Sequence, residues 1–158
     1  MLSKIHNHLS ETKSLLDDVE SKLLESAKSI CDKHSEWRKL TLRVKLHHDP
    51  KARTNLVPNI RIRENTSKIY IVWVDHSYTS IKRINPRWGK EVKPTLQGYT
   101  FKQLKKIAED WEGEKVWETE QLLSPIRDTF SDIQKMRVSL KKRINKLEAE
   151  LTINQIEK

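Results

Sequence analysis

The chain has 158 residues, which suffices for one domain with helical extensions and is too short for two large domains. Only 35% of the residues are hydrophobic and 34% are charged, yet just three are glycine and five are proline. This composition excludes a disordered or low-complexity chain and indicates long folded elements with much exposed surface.

The positive charge is concentrated in the middle of the chain. Residues 41–100 hold twelve basic and four acidic residues, so they supply most of the net charge of +9, whereas residues 1–40 are neutral. A charge excess confined to one segment predicts an anionic partner that binds there. The single cysteine, Cys31, excludes an internal disulfide, and neither an apolar leader nor an 18-residue apolar stretch is present. We therefore expect a cytoplasmic protein that binds no membrane.

The first forty residues predict one long helix. A large apolar residue recurs at every seventh position, at Leu2, Leu9, Leu16, Leu23, Ile30 and Trp37. The second row of this seam comprises Ile5, Thr12, Val19, Ser26 and Lys33. Such spacing is typical of a helix that packs on another helix. We expect residues 1–40 to pack on a C-terminal helix, and the helices could also form a homodimer.

The middle of the chain, residues 41–99, predicts a small antiparallel sheet and a loop. Apolar and basic residues alternate over 42–47 and again over 60–63, and residues 69–74 are apolar throughout. Pro58 is assigned to a polar loop, residues 64–67 to a turn, and residues 78–84 to one more strand before a long loop. These assignments predict a sheet of three or four strands.

Residues 100–158 predict a second helical region. Thr100 is expected to cap a helix that carries Phe101, Leu104, Ala108 and Trp111 on one face, and apolar residues continue at helical spacing from 126 to 151. Pro125 indicates either a kink or the start of a new helix. The predicted fold is therefore α+β, with a long N-terminal helix, a small antiparallel sheet and a long, kinked or broken C-terminal helix in one structural domain.

Basic residues occupy the polar positions of the predicted strands. They would project from one face of the sheet while the apolar positions pack under the helices. Basic groups neutralise phosphates, and aromatic rings stack on bases. The predicted DNA-binding residues are Arg43, Lys45, Arg61, Arg63, Lys82, Arg83, Arg87, Trp88, Lys90 and Lys93. The alternatives are a solvated sheet face with Trp88 in the core, and an adaptor whose basic sheet binds an acidic protein while its helices bind a partner helix.

Two charged stretches of the C-terminal region receive other assignments. Residues 135–146 contain six basic residues and no acid, so they could lie on phosphates, although the solvated flank of a coiled coil has the same pattern. The acidic residues between Glu109 and Glu120 would repel DNA. We expect residues 109–120 to face a protein partner or solvent.

A metal-dependent nuclease is the enzymatic alternative. Asp75 ends the strongest predicted strand, and Glu91 and Lys93 have the acid-x-lysine spacing that can hold Mg²⁺ and position a water for phosphodiester attack. Glu91 stands in loop-like sequence, however, whereas such a site needs it on a buried strand. His47 and His48, as neighbours on a strand, would point to opposite faces and could not share a metal ion. The sequence thus favours a protein without catalytic residues, metal or other cofactor.

Several patterns occur together in the second part of the chain. A basic strand pair precedes Ile69-Tyr-Ile-Val-Trp73, a basic loop ends at Gly98-Tyr99 and Phe101, and Ala108-Glu-Asp-Trp-Glu112 leads to Glu120, Ile126-Arg127 and a basic tail. This combination, from Ile60 to about Leu151, resembles the MobI family of conjugative-transfer proteins, with matches at Trp73, Tyr99, Trp111 and Glu112. The resemblance implies an accessory protein of integrative conjugative elements or related plasmids that acts at the transfer origin beside a relaxase. It implies no catalytic residue, and the four matches could mark either the core or DNA contacts.

Overall fold

The computed structural model describes residues 2–77 and 89–156 of the chain. Its elements follow the order helix, sheet, helix: α1 (Leu2–His48), β1 (Leu56–Ile62), β2 (Ile69–Asp75), β3 (Lys90–Glu91), α2 (Phe101–Ile107) and α3 (Gly113–Ile156). This order confirms the predicted α+β fold. In the two described ranges, no helix is both long enough and apolar enough to cross a membrane.

Helix α1 continues through the segment that was predicted to be the first strand. Its 47 residues end at His48, so the strand predicted over 42–47 is wrong. Leu42 and Leu46 are four residues apart, which fits one side of a helix as well as one face of a strand. Extending an existing helix adds one hydrogen bond per residue, whereas a new strand needs a partner strand. Arg43 and Lys45 therefore lie on a helix and not on the sheet.

The buried side of α1 differs from the predicted seam by one position in its second row. The predicted Leu16, Leu23, Ile30 and Trp37 are half-buried, but the second row consists of Glu20, Ala27 and His34, while Val19 is 47% exposed. The two polar members have partners. Arg137 donates to the Glu20 carboxylate, and His34 Nδ1 lies 2.8 Å from the Thr119 hydroxyl. The sequence pattern therefore placed the second buried row one residue too early, because it does not show that Glu20 and His34 have polar partners.

The sheet has three antiparallel strands in the order β1-β2-β3. The register of β1 and β2 pairs Leu56 with Asp75 and Ile62 with Ile69, which confirms the predicted hairpin. Pro58 lies inside β1 and not in a loop. An edge strand tolerates proline at a position where no hydrogen bond to the neighbouring strand is needed. Pro58 is such a position, because the N–H of its register partner Trp73 points away from β1 and donates to the hydroxyl of Tyr99. The further strand predicted over 78–84 falls outside the described residues.

The chain forms two compact units, one of residues up to Glu25 and from Asp128 onward, the other Ser26–Arg127. In the first unit, Arg137 binds the carboxylates of Asp17 and Glu20 at 2.7 and 3.0 Å. In the second unit, one face of the sheet packs on helical residues. That core comprises Leu56, Trp73, Val92, Tyr99, Leu104 and Val116. The positive segment of the sequence lies within the second unit.

Helix α2 begins where the sequence indicates. The Thr100 hydroxyl caps α2 by accepting the N–H of Gln103, as predicted. Helix α2 ends at Ile107, so Trp111 lies beyond it and Gly113 opens the next helix. Helix α3 runs through Pro125 without a break, which excludes a new helix at that residue.

Candidate nucleic-acid interface

The structure separates the predicted DNA-binding residues into different elements. Arg61 lies on β1 and Arg63 just after it, Lys90 lies on β3 and Lys93 just after it, and all four are exposed. Arg43 and Lys45 lie near the C-terminal end of α1, so the prediction that they share the sheet face is wrong. Lys82, Arg83, Arg87 and Trp88 lie outside the described residues. Two basic surfaces result, one at the tip of the β1–β2 hairpin and one at the end of α1.

The hairpin surface comprises Arg61, Arg63, Lys68 and Tyr70. Arg61 and Tyr70 are register partners, on the sheet face opposite to Trp73. The guanidinium of Arg63 and the ammonium of Lys68 lie 5.2 and 4.9 Å from the centroid of the Tyr70 ring. Cation–π attraction of this kind is worth about 0.5 to 1 kcal/mol at an exposed site. Tyr70 thus gathers two of the three cations around one ring.

The third cation of the hairpin surface has an acidic neighbour. Arg61 binds the carboxylate of Glu91 at 3.0 Å, with about half of each side chain exposed. A solvent-exposed ion pair contributes roughly 0 to 1 kcal/mol. A phosphate can therefore compete with Glu91 for Arg61.

The residues of the alternative nuclease site do not converge. In the register of β2 and β3, Glu91 pairs with Val74 and Lys90 with Asp75, so the two acidic side chains belong to opposite faces of the sheet. Glu91 is bound to Arg61, and Asp75 accepts the N–H of Ser77 at 2.8 Å. Asp75, Glu91 and Lys93 do line one cavity of about 420 Å³. Over the described ranges, however, no three His, Cys, Asp or Glu residues are grouped to hold a metal ion.

The helix-end surface comprises Arg43, Lys45, His47, His48 and Lys51, all exposed, at the C-terminal end of α1 and in the loop that follows. Basic groups are favourable there because the last carbonyl groups of a helix carry partial negative charge. The amide of Asp49 donates to the Lys45 carbonyl, and the Asp49 carboxylate accepts the N–H of Lys51 at 2.9 Å. These bonds turn the chain at the end of the helix and hold Lys51 beside it.

Two of the acidic residues between 109 and 120 are buried, which contradicts the expectation that this segment faces a partner or solvent. Glu112 and Glu120 are each 1% exposed. Glu112 accepts the N–H groups of Asn55 and Leu56 at 3.0 and 3.1 Å. Burial raises the pKa of Glu112, and these backbone bonds to its carboxylate act in the opposite direction. The carboxylate thus holds the start of β1.

A second buried group holds β2. Glu120 accepts the indole N–H of Trp73 at 2.8 Å and both terminal nitrogens of Arg127 at 2.7 and 3.0 Å. Arg127 Nε donates to the Ile71 carbonyl at 2.9 Å, and its guanidinium lies 4.9 Å from the ring centroid of Tyr99. The Tyr99 hydroxyl donates to the Val92 carbonyl and accepts the N–H of Trp73. Side chains from α3 and from the segment before α2 therefore fix the strand that carries Tyr70.

These contacts show whether the four residues of the family resemblance lie in the core or on the surface. Trp73, Tyr99 and Glu112 are buried and belong to the support of the sheet. Trp111 is half-buried and lines a cavity beside the helix-end surface. Sequence reasoning missed Lys51 and Lys68 as members of the basic surfaces. For Lys68 the signal was its position directly before β2, whose other end, at Asp75, is buried.

Comparison with known proteins identifies the family of the chain. The family model described as MobI protein matches residues 23–141, which is more than half of the chain and includes both basic surfaces. No curated protein and no solved structure matches. The predicted resemblance is confirmed, and the matched range begins earlier, within α1. The chain belongs to the MobI family, a family of mobilisation proteins.

Proposed function

We propose that this protein is a cytoplasmic DNA-binding accessory factor of conjugative transfer, which acts at the transfer origin together with a relaxase and catalyses no step itself. Family membership supports the role in mobilisation. The observation that carries DNA binding is the hairpin surface, where two cations lie over the Tyr70 ring and a third, Arg61, is its register partner, at the exposed end of a firmly held hairpin. Basic groups on an ordered support neutralise phosphates with little loss of conformational entropy.

The two basic surfaces lie at opposite ends of β1 along the chain. Lys51 precedes the strand, and Arg63 follows it. A strand of seven residues spans roughly 20 Å, which is about the axial length of six base pairs of duplex DNA. We propose that one stretch of DNA running along this strand contacts both surfaces. Further positive charge comes from Lys90, on the other edge strand β3, and from Lys93 just after it. We also include the predicted Lys82, Arg83, Arg87 and Trp88 among the proposed DNA-binding residues.

Protein partners are assigned to other surfaces. Asp110, Glu114 and Glu118 stay exposed next to the buried Glu112 and Glu120, and their charge disfavours DNA. We place the relaxase contact there. Exposed apolar residues of α1 and α3, including Leu15, Val19, Met136 and Val138, offer a surface for a second copy of the chain.

The test measures DNA binding across a salt series by fluorescence anisotropy, with duplexes of transfer-origin and of shuffled sequence. The triple variant Arg61→Ala, Arg63→Ala, Lys68→Ala removes the cations of the hairpin surface. We expect at least a roughly tenfold loss of affinity and a salt slope smaller by about two to three, since each phosphate contact contributes close to 0.9.

The matched control is Lys141→Ala, Lys142→Ala, Lys146→Ala, which removes the same charge from exposed positions of α3. If the control lowers affinity and slope as much as the hairpin variant, the binding surface is not the hairpin. If the unaltered protein binds no DNA at low salt, the adaptor function replaces the proposal.

A further inference from the structure

A cavity of about 540 Å³ lies beside the helix-end surface. Its wall combines one aromatic ring with groups of both charges: Lys45, His48, Asp49, Lys51, Ala52, Arg53, Glu109 and Trp111. All of these residues belong to the unit Ser26–Arg127. A cavity with an aromatic wall and converging polar groups is typical of a site for a small planar ligand.

The aromatic wall is firmly supported. The Trp111 ring packs on Trp37 with 5.9 Å between centroids, Trp37 packs on His34 at 5.6 Å, and His34 packs on the fully buried Trp73 at 5.4 Å. This aromatic column connects the cavity to the core. A ring held in this way loses little conformational freedom when another ring stacks on it.

The charged groups are arranged around that ring. The ammonium of Lys45 lies 5.9 Å from the Trp111 centroid, and Lys51 lies on the same wall. Glu109 is fixed because it accepts from Arg53 Nε at 2.9 Å and from the Asn55 side-chain amide at 3.1 Å. The cavity therefore offers exposed cations for a phosphate, a flat face for a base, and a fixed carboxylate that can accept an exocyclic amino group.

We propose that this cavity binds one unpaired nucleotide of single-stranded DNA, with its base on Trp111 and its phosphate at Lys45 and Lys51. The inference rests on the proposed DNA-binding function and specifies its substrate. Bases of an intact duplex stack on their neighbours and cannot present a face to Trp111, so the cavity distinguishes an opened strand from a closed one. Arg43, exposed on the same helix end, extends positive charge beyond the cavity along the path of a strand.

The test is Trp111→Leu, which keeps an apolar side chain against Trp37 but removes the stacking face. Binding to a labelled single strand and to the duplex of the same sequence is measured by anisotropy, together with thermal unfolding of each protein. Base stacking on an aromatic side chain corresponds to roughly a five- to hundredfold change in affinity. We expect that loss for the single strand and no change for the duplex.

The matched control is Trp117→Leu, since Trp117 is also half-buried and packs on Phe101 away from the cavity. Single-strand affinity equal in the Trp111 and Trp117 variants, with the unaltered protein binding both DNAs, overturns the inference and leaves the proposed function standing. Failure of the unaltered protein to bind either DNA overturns the proposed function itself.

A second measurement covers the case in which Trp111→Leu does not fold. A single strand that contains a photoreactive halogenated uracil is crosslinked to the unaltered protein, and the attached peptide is identified by mass spectrometry. Attachment to Trp111 or to residues 45–53 supports the site, and attachment only elsewhere contradicts it. Competition by a free deoxynucleoside monophosphate as strong as by the single strand, both at equal nucleotide concentration, would show that the ligand is the free nucleotide instead.

Discussion

The two ends of the β1–β2 hairpin have the same antiparallel pairing but opposite burial. Leu56, at one end of β1, is fully buried, whereas Ile62, at the other end and on the same face, is 55% exposed. At the Leu56 end, Glu112 binds backbone amides and Trp73 contributes to the core. At the Ile62 end, Arg63 and Lys68 lie over the ring of Tyr70, and Arg61 pairs with Tyr70 in the strand register. Alternation of apolar and polar residues predicts a strand. Which end of the strand is buried depends on how far along it the helices and loops pack.

The largest expected effect is at the buried end. Glu120→Ala leaves the Arg127 guanidinium and the Trp73 indole N–H without their carboxylate. Breaking a buried ion pair on one side lowers the free energy of unfolding by about 3 to 5 kcal/mol. Urea denaturation measures the loss, and Glu118→Ala, an exposed neighbour, serves as the control with an expected change of about 0.5 kcal/mol or less. Equal losses in the two variants would contradict the support that we assign to Glu120.

The second prediction compares the two ends of β1 directly. Leu56→Ala creates a cavity in the core and should lower the free energy of unfolding by about 2 to 5 kcal/mol. Ile62→Ala removes a largely exposed side chain and should lower it by under about 1 kcal/mol. Both values come from urea denaturation. A loss at Ile62 as large as that at Leu56 would mean that the hairpin tip is packed after all.

The third prediction concerns the pH dependence of stability and His34, which packs on Trp73. Burial, with the charges of Arg38 and Lys115, lowers the pKa of His34 to about 4. The unfolded chain takes up a proton near the ordinary value of about 6.5 while the folded chain does not, so this stability is present above about pH 6.5 and is lost as the pH falls towards 4. At pH 4.5 the loss is about 2 to 3 kcal/mol.

The measurement for this prediction is urea denaturation of the unaltered protein and of His34→Gln at neutral pH and at about pH 4.5. Carboxylates titrate in both proteins, so the difference between the two pH dependences isolates His34. The variant should lose less stability on acidification. Identical pH dependences would show that His34 is protonated in the folded protein as readily as in the unfolded one.

The smallest effect on stability is expected at the exposed end, with a gain in binding. Glu91→Gln removes the partner of Arg61 and one negative charge from the hairpin surface. Stability should change by about 0.5 kcal/mol or less, because the pair is solvent-exposed. DNA affinity at low salt should rise, since Arg61 no longer needs to exchange Glu91 for a phosphate. Weaker binding by this variant would mean that Glu91 positions Arg61 for DNA.

Sequence reasoning predicted the hairpin, the helix cap at Thr100 and the long helices, because each depends on a local pattern. It was wrong where a short pattern fits two structures. Residues 42–46 satisfy both the spacing of two and the spacing of four, and the helix that precedes them decides between the two. The period of a segment as short as five residues does not settle its structure.

The burial and the partners of charged residues were the second feature that a local sequence pattern could not predict. Glu112 and Glu120 belong to an acidic run that reads as solvent-exposed, yet they bind groups that lie 47 to 57 residues away in sequence. Glu20 and His34 likewise lie on the packed side of α1 because their partners come from α3. Of the candidate site, sequence reasoning located Arg61 and Arg63 on the hairpin but could not bring Trp111 next to Lys45.

The support of the sheet by later residues has a consequence for the order of events during synthesis. Both strands of the hairpin leave the ribosome before Glu112, Glu120 and Arg127, which bind the amides of Asn55 and Leu56, the indole of Trp73 and the carbonyl of Ile71. Until then, these polar groups have no carboxylate or guanidinium to hold them. A growing chain thus completes the sheet only after residue 127 has emerged, so a nascent protein that stops before this point should have an unfinished sheet.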